Sequence, residues 1–292
     1  MTSCDRDSFA ARVIDCRPSG RDGFALRVAL PRRLVTPLEG GHFFMVRTEG
    51  ADFPFLSRPF SVHDVAPDGC GPELAFVFKS VGPGTRALAR LKAGDPIRLT
   101  GPLGRPFPTE NSGANPGVTT LLVAGGVGLP PLFLWLRRRL EMGRDDRALL
   151  LYGARFRDQL FELDAAELLG VPVRTATEDG SHGMRGRVDK LLAVTLDELA
   201  RDGETPVRIF TCGPDPMMAA VARLAAERGV ECLVSLETLM ACGFGVCNAC
   251  AVPVRNLADP AADPARVERF ARACIDGPVM DSRAVHWHAA AH

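Results

Sequence analysis

The sequence has no surplus of charge: 35 basic residues stand against 35 acidic ones, for a formal net charge of zero. That balance removes the electrostatic case for a nucleic acid or an anionic membrane surface as partner. Long hydrophobic runs are missing too, since no stretch approaches the ~20 apolar residues that a membrane-spanning helix needs. The opening MTSCDRDSFAARV carries no apolar h-region, so the chain is expected to be cytoplasmic. Its 292 residues suffice for two domains with a small third, each with its own core.

What is present in excess is cysteine, nine residues in a chain expected to meet a reducing compartment. Four of them form a pattern. Cys242, Cys247 and Cys250 follow the spacing C-x4-C-x2-C, with Cys274 downstream, which is how a plant-type [2Fe-2S] cluster is wrapped. Gly243 and Gly245 give the loop positive φ, so that backbone N–H groups can turn toward anionic sulfurs. A structural zinc usually takes paired C-x2-4-C knuckles, and only Cys247 and Cys250 form one. Two disulfides would suit a small secreted domain better than this chain. Cys4, Cys16, Cys70 and Cys232 read as buried or incidental thiols.

From Phe9 to about Thr100 the chain is a series of short β-rich runs broken by Gly and Pro, which predicts an antiparallel barrel with one short helix at TRALARLK. Two stretches in it have chemical character. Arg58-Pro59-Phe60-Ser61 sets a guanidinium beside a stiff proline and a hydroxyl, suited to a phosphate and a polar ring edge. Lys79-Ser80-Val81-Gly82-Pro83-Gly84-Thr85 leads glycines into a helix start, an anion-binding arrangement that read alone is equally an ordinary turn. Together they describe one pyrophosphate held on the barrel.

ENSGANPG, residues 110–117, reads as a linker, and beyond it apolar runs alternate with helical patterns. That rhythm predicts a parallel sheet with helices on both faces, binding ligands beyond the carboxyl ends of its strands. Gly125-Gly126-Val127-Gly128 closes the first of these strands ahead of a helix opening Leu129-Pro130-Pro131. It is a nucleotide loop other than GxGxxG. Thr211-Cys212-Gly213-Pro214 closes a later strand, where a thiol could pack on a flat ring or simply sit in a turn. Helices are expected through FRDQLFELDAAELL and near the end of the segment between Cys250 and Cys274. His42, His63 and His182 read as structural or surface residues, and Met217 and Met218 as helix packing.

A barrel with RPFS and GPGT, a nucleotide domain with AGGVGLPPL and TCGPDPM, and a terminal cysteine segment resemble the ferredoxin-reductase superfamily. LETLMACGFGVCNAC followed by CIDGPVM is similar to the electron-transfer subunits of class 1B dihydroorotate dehydrogenases. The resemblance spans roughly Phe9 to Asp281. It implies a multi-domain β plus α/β protein: an antiparallel FAD-binding barrel at 1–112, a parallel-sheet NAD-binding domain at 113–236, and a small [2Fe-2S] domain with its tail at 237–292. It implies FAD at Arg58, Pro59, Phe60, Ser61, Lys79, Gly82, Gly84 and Thr85. NAD would lie over Gly125, Gly126, Gly128, Gly213 and Pro214, with Cys212 as the catalytic residue at the nicotinamide, and the cluster on Cys242, Cys247, Cys250 and Cys274.

The implied function is to pass electrons from the FMN of a dihydroorotate dehydrogenase catalytic subunit, in a heterotetramer, through cluster and FAD to NAD in pyrimidine biosynthesis. The stretch from Cys250 to Cys274 is longer than the family pattern, and Met280 stands where a phenylalanine is expected. Both bear on the partner more than on the cofactors. An NAD(P)H-dependent reductase serving an oxygenase, sulfite reductase or ferredoxin-linked complex is the rival enzyme, and a zinc-stabilised nucleotide-binding module the non-catalytic one. Arg155 and Arg157 are placed where a 2′-phosphate could be read.

Overall fold

A computed structural model describes residues 7–30, 37–49, 56–67, 72–109, 118–143, 147–203, 206–257, 266–267 and 269–287. The linker expected at 110–117 lies outside the described residues, as do Cys4, Cys70, His288 and His292.

Seven strands come first: β1 (Asp7–Pro18), β2 (Gly23–Ala29), β3 (Phe43–Thr48), β4 (Arg58–Ser61), β5 (Asp64–Pro67), β6 (Pro72–Lys79) and β7 (Pro96–Leu103). They pair antiparallel in the order β4-β3-β7-β1-β2-β6-β5, and the short helix α1 (Pro83–Leu88) follows β6. Period-two alternation turns Phe9, Ala11 and Val13 inward, where they meet Leu26, Val28, Phe76, Ile97 and Leu99. The sheet curls on itself. Phe60 near one end of the strand order stacks on Phe78 near the other, with ring centroids 5.1 Å apart, so the expected antiparallel barrel is present as a curled sheet.

The second sheet is built from β8 (Thr119–Gly125), β9 (Ala148–Ala154), β10 (Val173–Thr177), β11 (Met184–Arg185), β12 (Val207–Cys212) and β13 (Glu231–Ser235). Four helices are threaded between them: α2 (Leu129–Glu141), α3 (Leu163–Glu167), α4 (Val188–Arg201) and α5 (Asp215–Glu227). Every residue of β8 is buried, as expected for a strand covered on both faces. Leu121 and Val123 enter a core with Leu192, Met218 and Val221, whereas Leu122 and Ala124 enter the opposite core with Leu132, Trp135 and Leu136. The order β11-β10-β9-β8-β12-β13 reverses direction between β8 and β12. At such a switch point the loops after neighbouring strands diverge and leave a crevice.

The C-terminal stretch adds β14 (Ala251–Val254) and β15 (Arg269–Arg272), paired antiparallel, and β16 (Val279–Asp281), which joins the second sheet antiparallel to β13. Cys250, Val252, Ala273 and Cys274 are buried in the same core as Val234 of the second sheet and Phe43 and Met45 of the first.

Two expected helices differ. FRDQLFELDAAELL forms a 3-10 turn at Arg157–Gln159 and only the five residues of α3. The break falls at Glu162, whose φ of 52° is left-handed and whose carboxylate is held across the interface by Arg17 and by Ser19 Oγ at 2.6 Å. The segment before Cys274 is a strand where a helix was expected, because a run that short nucleates poorly alone and β14 offers it a ladder. Among the described residues, no helix is long and apolar enough to cross a membrane.

His42 and His63 are both buried, the latter stacked on Phe133 at 4.2 Å. Burial lowers each imidazole from 6.5 to about 4, so both are neutral in the fold. Because the unfolded chain takes up these protons first, their contribution is complete above the unfolded value of 6.5 and is lost as pH falls toward about 4. The thermal midpoint is therefore expected to drop between about pH 7 and about pH 5, with a shallower drop in His63→Phe. Equal slopes in the two proteins would refute the assignment.

Candidate redox site at the meeting of the sheets

The cysteine loop turns through left-handed residues, with Gly243 at φ +84°, Gly245 at +79° and Asn248 at +56°. A Cβ on Gly243 would meet Met45 Cγ at 2.6 Å, and one on Gly245 would meet Ile275 Cγ1 at 2.7 Å. Both glycines therefore have steric as well as torsional reasons. The turn directs the backbone N–H groups of Phe244, Val246 and Cys247 at Cys242 Sγ, and these donors lower its thiol to about 6. Arg272 Nη1 donates to the Gly245 carbonyl at 3.0 Å and ties the loop to β15.

The thiols fall into two pairs. Cys242 and Cys247 share a hydrogen bond at the surface, and Cys250 and Cys274 lie 3.2 Å apart in the core. Burial and the Cys250 neighbour push Cys274 up to about 12. Two buried sulfurs at that separation become thiolates together only with a cation between them. Among the described residues no three Cys, His, Asp or Glu side chains converge on one metal ion. Two pairs fit a two-iron cluster, in which each iron takes two thiolates.

Beside this loop opens a cleft of about 660 Å³. Pro59, Phe60, Ser61, Lys79 and Thr85 line it from the first sheet. Val127, Pro130 and Asp215 line it from the second, and Glu237, Thr238, Met240, Ala249 and Trp287 from the C-terminal stretch. Arg58 lies along its flank over Gly84, where a Cβ would come within 2.2 Å of the guanidinium carbon. The sequence-predicted RPFS and GPGT stretches thus meet. Thr85 Oγ1 accepts from the N–H groups of Val81 and Gly82, both at 2.9 Å, so the hydroxyl caps the helix start and occupies two of the donors that an anion could use.

The glycines after β8 have separate reasons. Gly126, at φ +53°, has nothing within 4 Å of a would-be Cβ. Gly128 is blocked by the Cys212 carbonyl at 2.1 Å, and Gly125 by Met217 Sδ at 2.4 Å. The loop after β8 and Cys212-Gly213-Pro214 therefore interlock across the switch point, while only Gly126 leaves open space. Cys212 is buried, and loss of hydration raises its thiol well above the ordinary value. It is a neutral sulfur suited to packing, not a nucleophile.

Glu237 Oε1 lies 4.0 Å from Cys212 Sγ. Glu237 is exposed on the cleft lining, which Asp215 shares. Thr238 Oγ1 is buried with no hydrogen-bond partner. Sequence reasoning missed Asp215, Glu237, Thr238 and Trp287. Glu237 and Thr238 follow the carboxyl end of β13, the position that the strand-end rule marks as ligand-facing.

Gly128→Ala is expected to cost about 2–3 kcal/mol of stability, as a backbone collision in the core demands, and Gly126→Ala about 1 kcal/mol, as a left-handed torsion alone demands. Urea denaturation of the two variants checks the ranking, and equal losses would contradict the interlock.

The profile for the iron-sulfur cluster binding domain of dihydroorotate dehydrogenase B matches residues 237–286, and that for the oxidoreductase NAD-binding domain matches 122–223. The dihydroorotate dehydrogenase B (NAD(+)) electron transfer subunit of Shouchella clausii is 32% identical over 89% of this chain and 91% of its own length. The same subunit of Desulforamulus reducens is 33% identical over 87% and 88%. Among solved structures, a chain of NADH-dependent reduced ferredoxin-NADP oxidoreductase superposes with a TM-score of 0.77 at 28% identity, covering 96% of this chain and 90% of that one. The ferredoxin reductase of carbazole 1,9a-dioxygenase, at 21% identity and a TM-score of 0.65, shares the fold. Paired thiols beside a cleft at the switch point and identity along nearly the whole length lead to one conclusion: this chain belongs to the family of dihydroorotate dehydrogenase B electron transfer subunits.

Proposed function

We propose that the chain is the cytoplasmic electron-transfer subunit of an NAD-linked dihydroorotate dehydrogenase. It would connect the FMN of a catalytic partner, in a heterotetramer, to NAD+ by way of a [2Fe-2S] cluster and FAD. The observation that carries this reading is adjacency. Ala249 and Ala251 line the cleft, and Cys250 between them belongs to the buried thiol pair. A flavin, when bound, supplies the conversion between two-electron hydride exchange and one-electron transfer, so its place beside both a nicotinamide site and a cluster is required.

In this reading Arg58 and Lys79 hold the FAD pyrophosphate, and Pro59, Phe60 and Ser61 the ring, with Gly82, Gly84 and Thr85 shaping the turn beside them. Gly126 gives a nucleotide phosphate close access to the backbone, while Gly125, Gly128, Gly213 and Pro214 hold the two strand-end loops together. Cys212 presents a neutral sulfur to the nicotinamide. Cys242, Cys247, Cys250 and Cys274 ligate the cluster. Phe244 and Val246, neighbours of Cys247 in the loop, are large apolar residues left exposed, Val246 to 76%. Such a patch at a cluster suits a protein partner, here the FMN-containing subunit.

The likeness to the NADH-dependent reduced ferredoxin-NADP oxidoreductase favours a second reading, an NAD(P)H-dependent flavin and iron-sulfur reductase that delivers electrons outward. Arg155 and Arg157 are exposed beyond β9, so both NAD and NADP are to be tried.

The test is anaerobic purification with a dihydroorotate dehydrogenase catalytic subunit, followed by dihydroorotate and NAD+. We expect partner-dependent bleaching of flavin and cluster absorption with NADH formation. Cys247→Ser, at an exposed position, should abolish NADH formation while the chain remains folded. Reduction by NAD(P)H without any response to dihydroorotate plus partner would replace this reading with the reductase, and a colourless protein after reconstitution would remove both.

A further inference from the structure

The last described stretch of the chain is an ordered strap. Ser282 N donates to the Cys232 carbonyl at 2.9 Å, Arg255 N to the Ala284 carbonyl at 2.9 Å, and His286 N to the Pro253 carbonyl at 3.1 Å. Val285 is buried and bridges antiparallel to Val254. The strap ends at Trp287, whose Nε1 donates to the Ser282 carbonyl at 3.1 Å. That bond satisfies the only polar atom of the indole and limits its rotation, leaving an apolar ring system to present. Trp287 packs against the core that holds Cys250 and Cys274, and it lines the cleft. Across the cleft Phe60 and Phe78, stacked on each other, line the wall from the first sheet. The other tryptophan of the sequence, Trp135, is fully buried among Phe210 and its neighbours, with Nε1 donating to the Pro108 carbonyl.

We propose that Trp287 is a binding residue of the cleft, its indole contacting the flat conjugated ring of the ligand on the side that faces the cysteine loop. The cleft volume lies within the range of pockets for ligands of this size. Aromatic walls on two sides select a planar ring over a flexible apolar ligand of equal size. The inference rests on the proposed reading that FAD occupies the cleft.

The test uses the full chain, depleted of FAD and titrated with FAD. Trp287→Ala is expected to raise the FAD dissociation constant about three- to tenfold, the effect of losing one aromatic contact, and Trp287→Phe to restore most of the affinity. Iron per chain should equal that of the unaltered protein in both variants. A second readout is independent of affinity: the bound flavin's fluorescence decay should contain a fast component, from electron transfer out of a touching indole, that is lost in Trp287→Phe. Should Trp287→Ala fail to fold, that decay decides. Unchanged affinity in Trp287→Ala together with an unchanged decay in Trp287→Phe overturns the inference and leaves the flavin reading standing. If the unaltered chain binds no FAD, the flavin reading falls first and takes the inference with it.

Discussion

Two sulfurs held 3.2 Å apart inside the protein are the constraint on which the rest of this architecture turns. Cys250 and Cys274 can both ionise only around a cation, so a pair buried at this separation suits a metal cluster. The arrangement has a structural cost, since a loop of left-handed residues is strained unless its surroundings hold it. Those surroundings are Met45 and Leu103 of the first sheet beneath Gly243, and Arg272 and Ile275 against Gly245. The loop, the curled sheet and the second sheet therefore share one core and constrain one another.

The same packing explains why the cleft lies where it does. β13 runs directly into the C-terminal stretch, which places Glu237, Thr238 and Met240 beyond the carboxyl ends of the strands, and β16 returns to pair with β13. Between the two sheets, Arg17 and Ser19 hold Glu162, and Arg137 Nη1 holds Asp64 Oδ2 at 2.6 Å, which fixes one sheet against the other. These ion pairs are only partly buried, so they set orientation more than they add stability. Their use here is to keep the two walls of the cleft in register.

Within that frame the electrostatics separate two kinds of sulfur. Cys212, without nearby donors strong enough to offset its burial, stays neutral in the core, while Cys242 gathers three backbone N–H groups and ionises easily. Both lie at strand or turn ends in glycine-rich sequence. Neither the thiol nor its neighbours in sequence distinguish them; the direction in which the backbone amides point does.

Local chemistry was determined by the sequence alone. C-x4-C-x2-C identifies the cluster loop because ligand spacing is a short-range property, and the change from short β runs to a βαβ rhythm identifies two kinds of sheet because side-chain period is local. The strand β15 before Cys274 and the break at Glu162 were not legible. The first depends on a ladder with β14 and the second on Arg17 and Ser19, partners far away in the chain. The separate duties of Gly125, Gly126 and Gly128 were hidden for the same reason, since the blocking atoms belong to Cys212 and Met217. Only the tertiary structure decided that Glu237, Asp215 and Trp287 would share a cleft with Phe60 and Lys79. Contacts between residues so widely separated are set by the packing of whole sheets, and no local pattern encodes them.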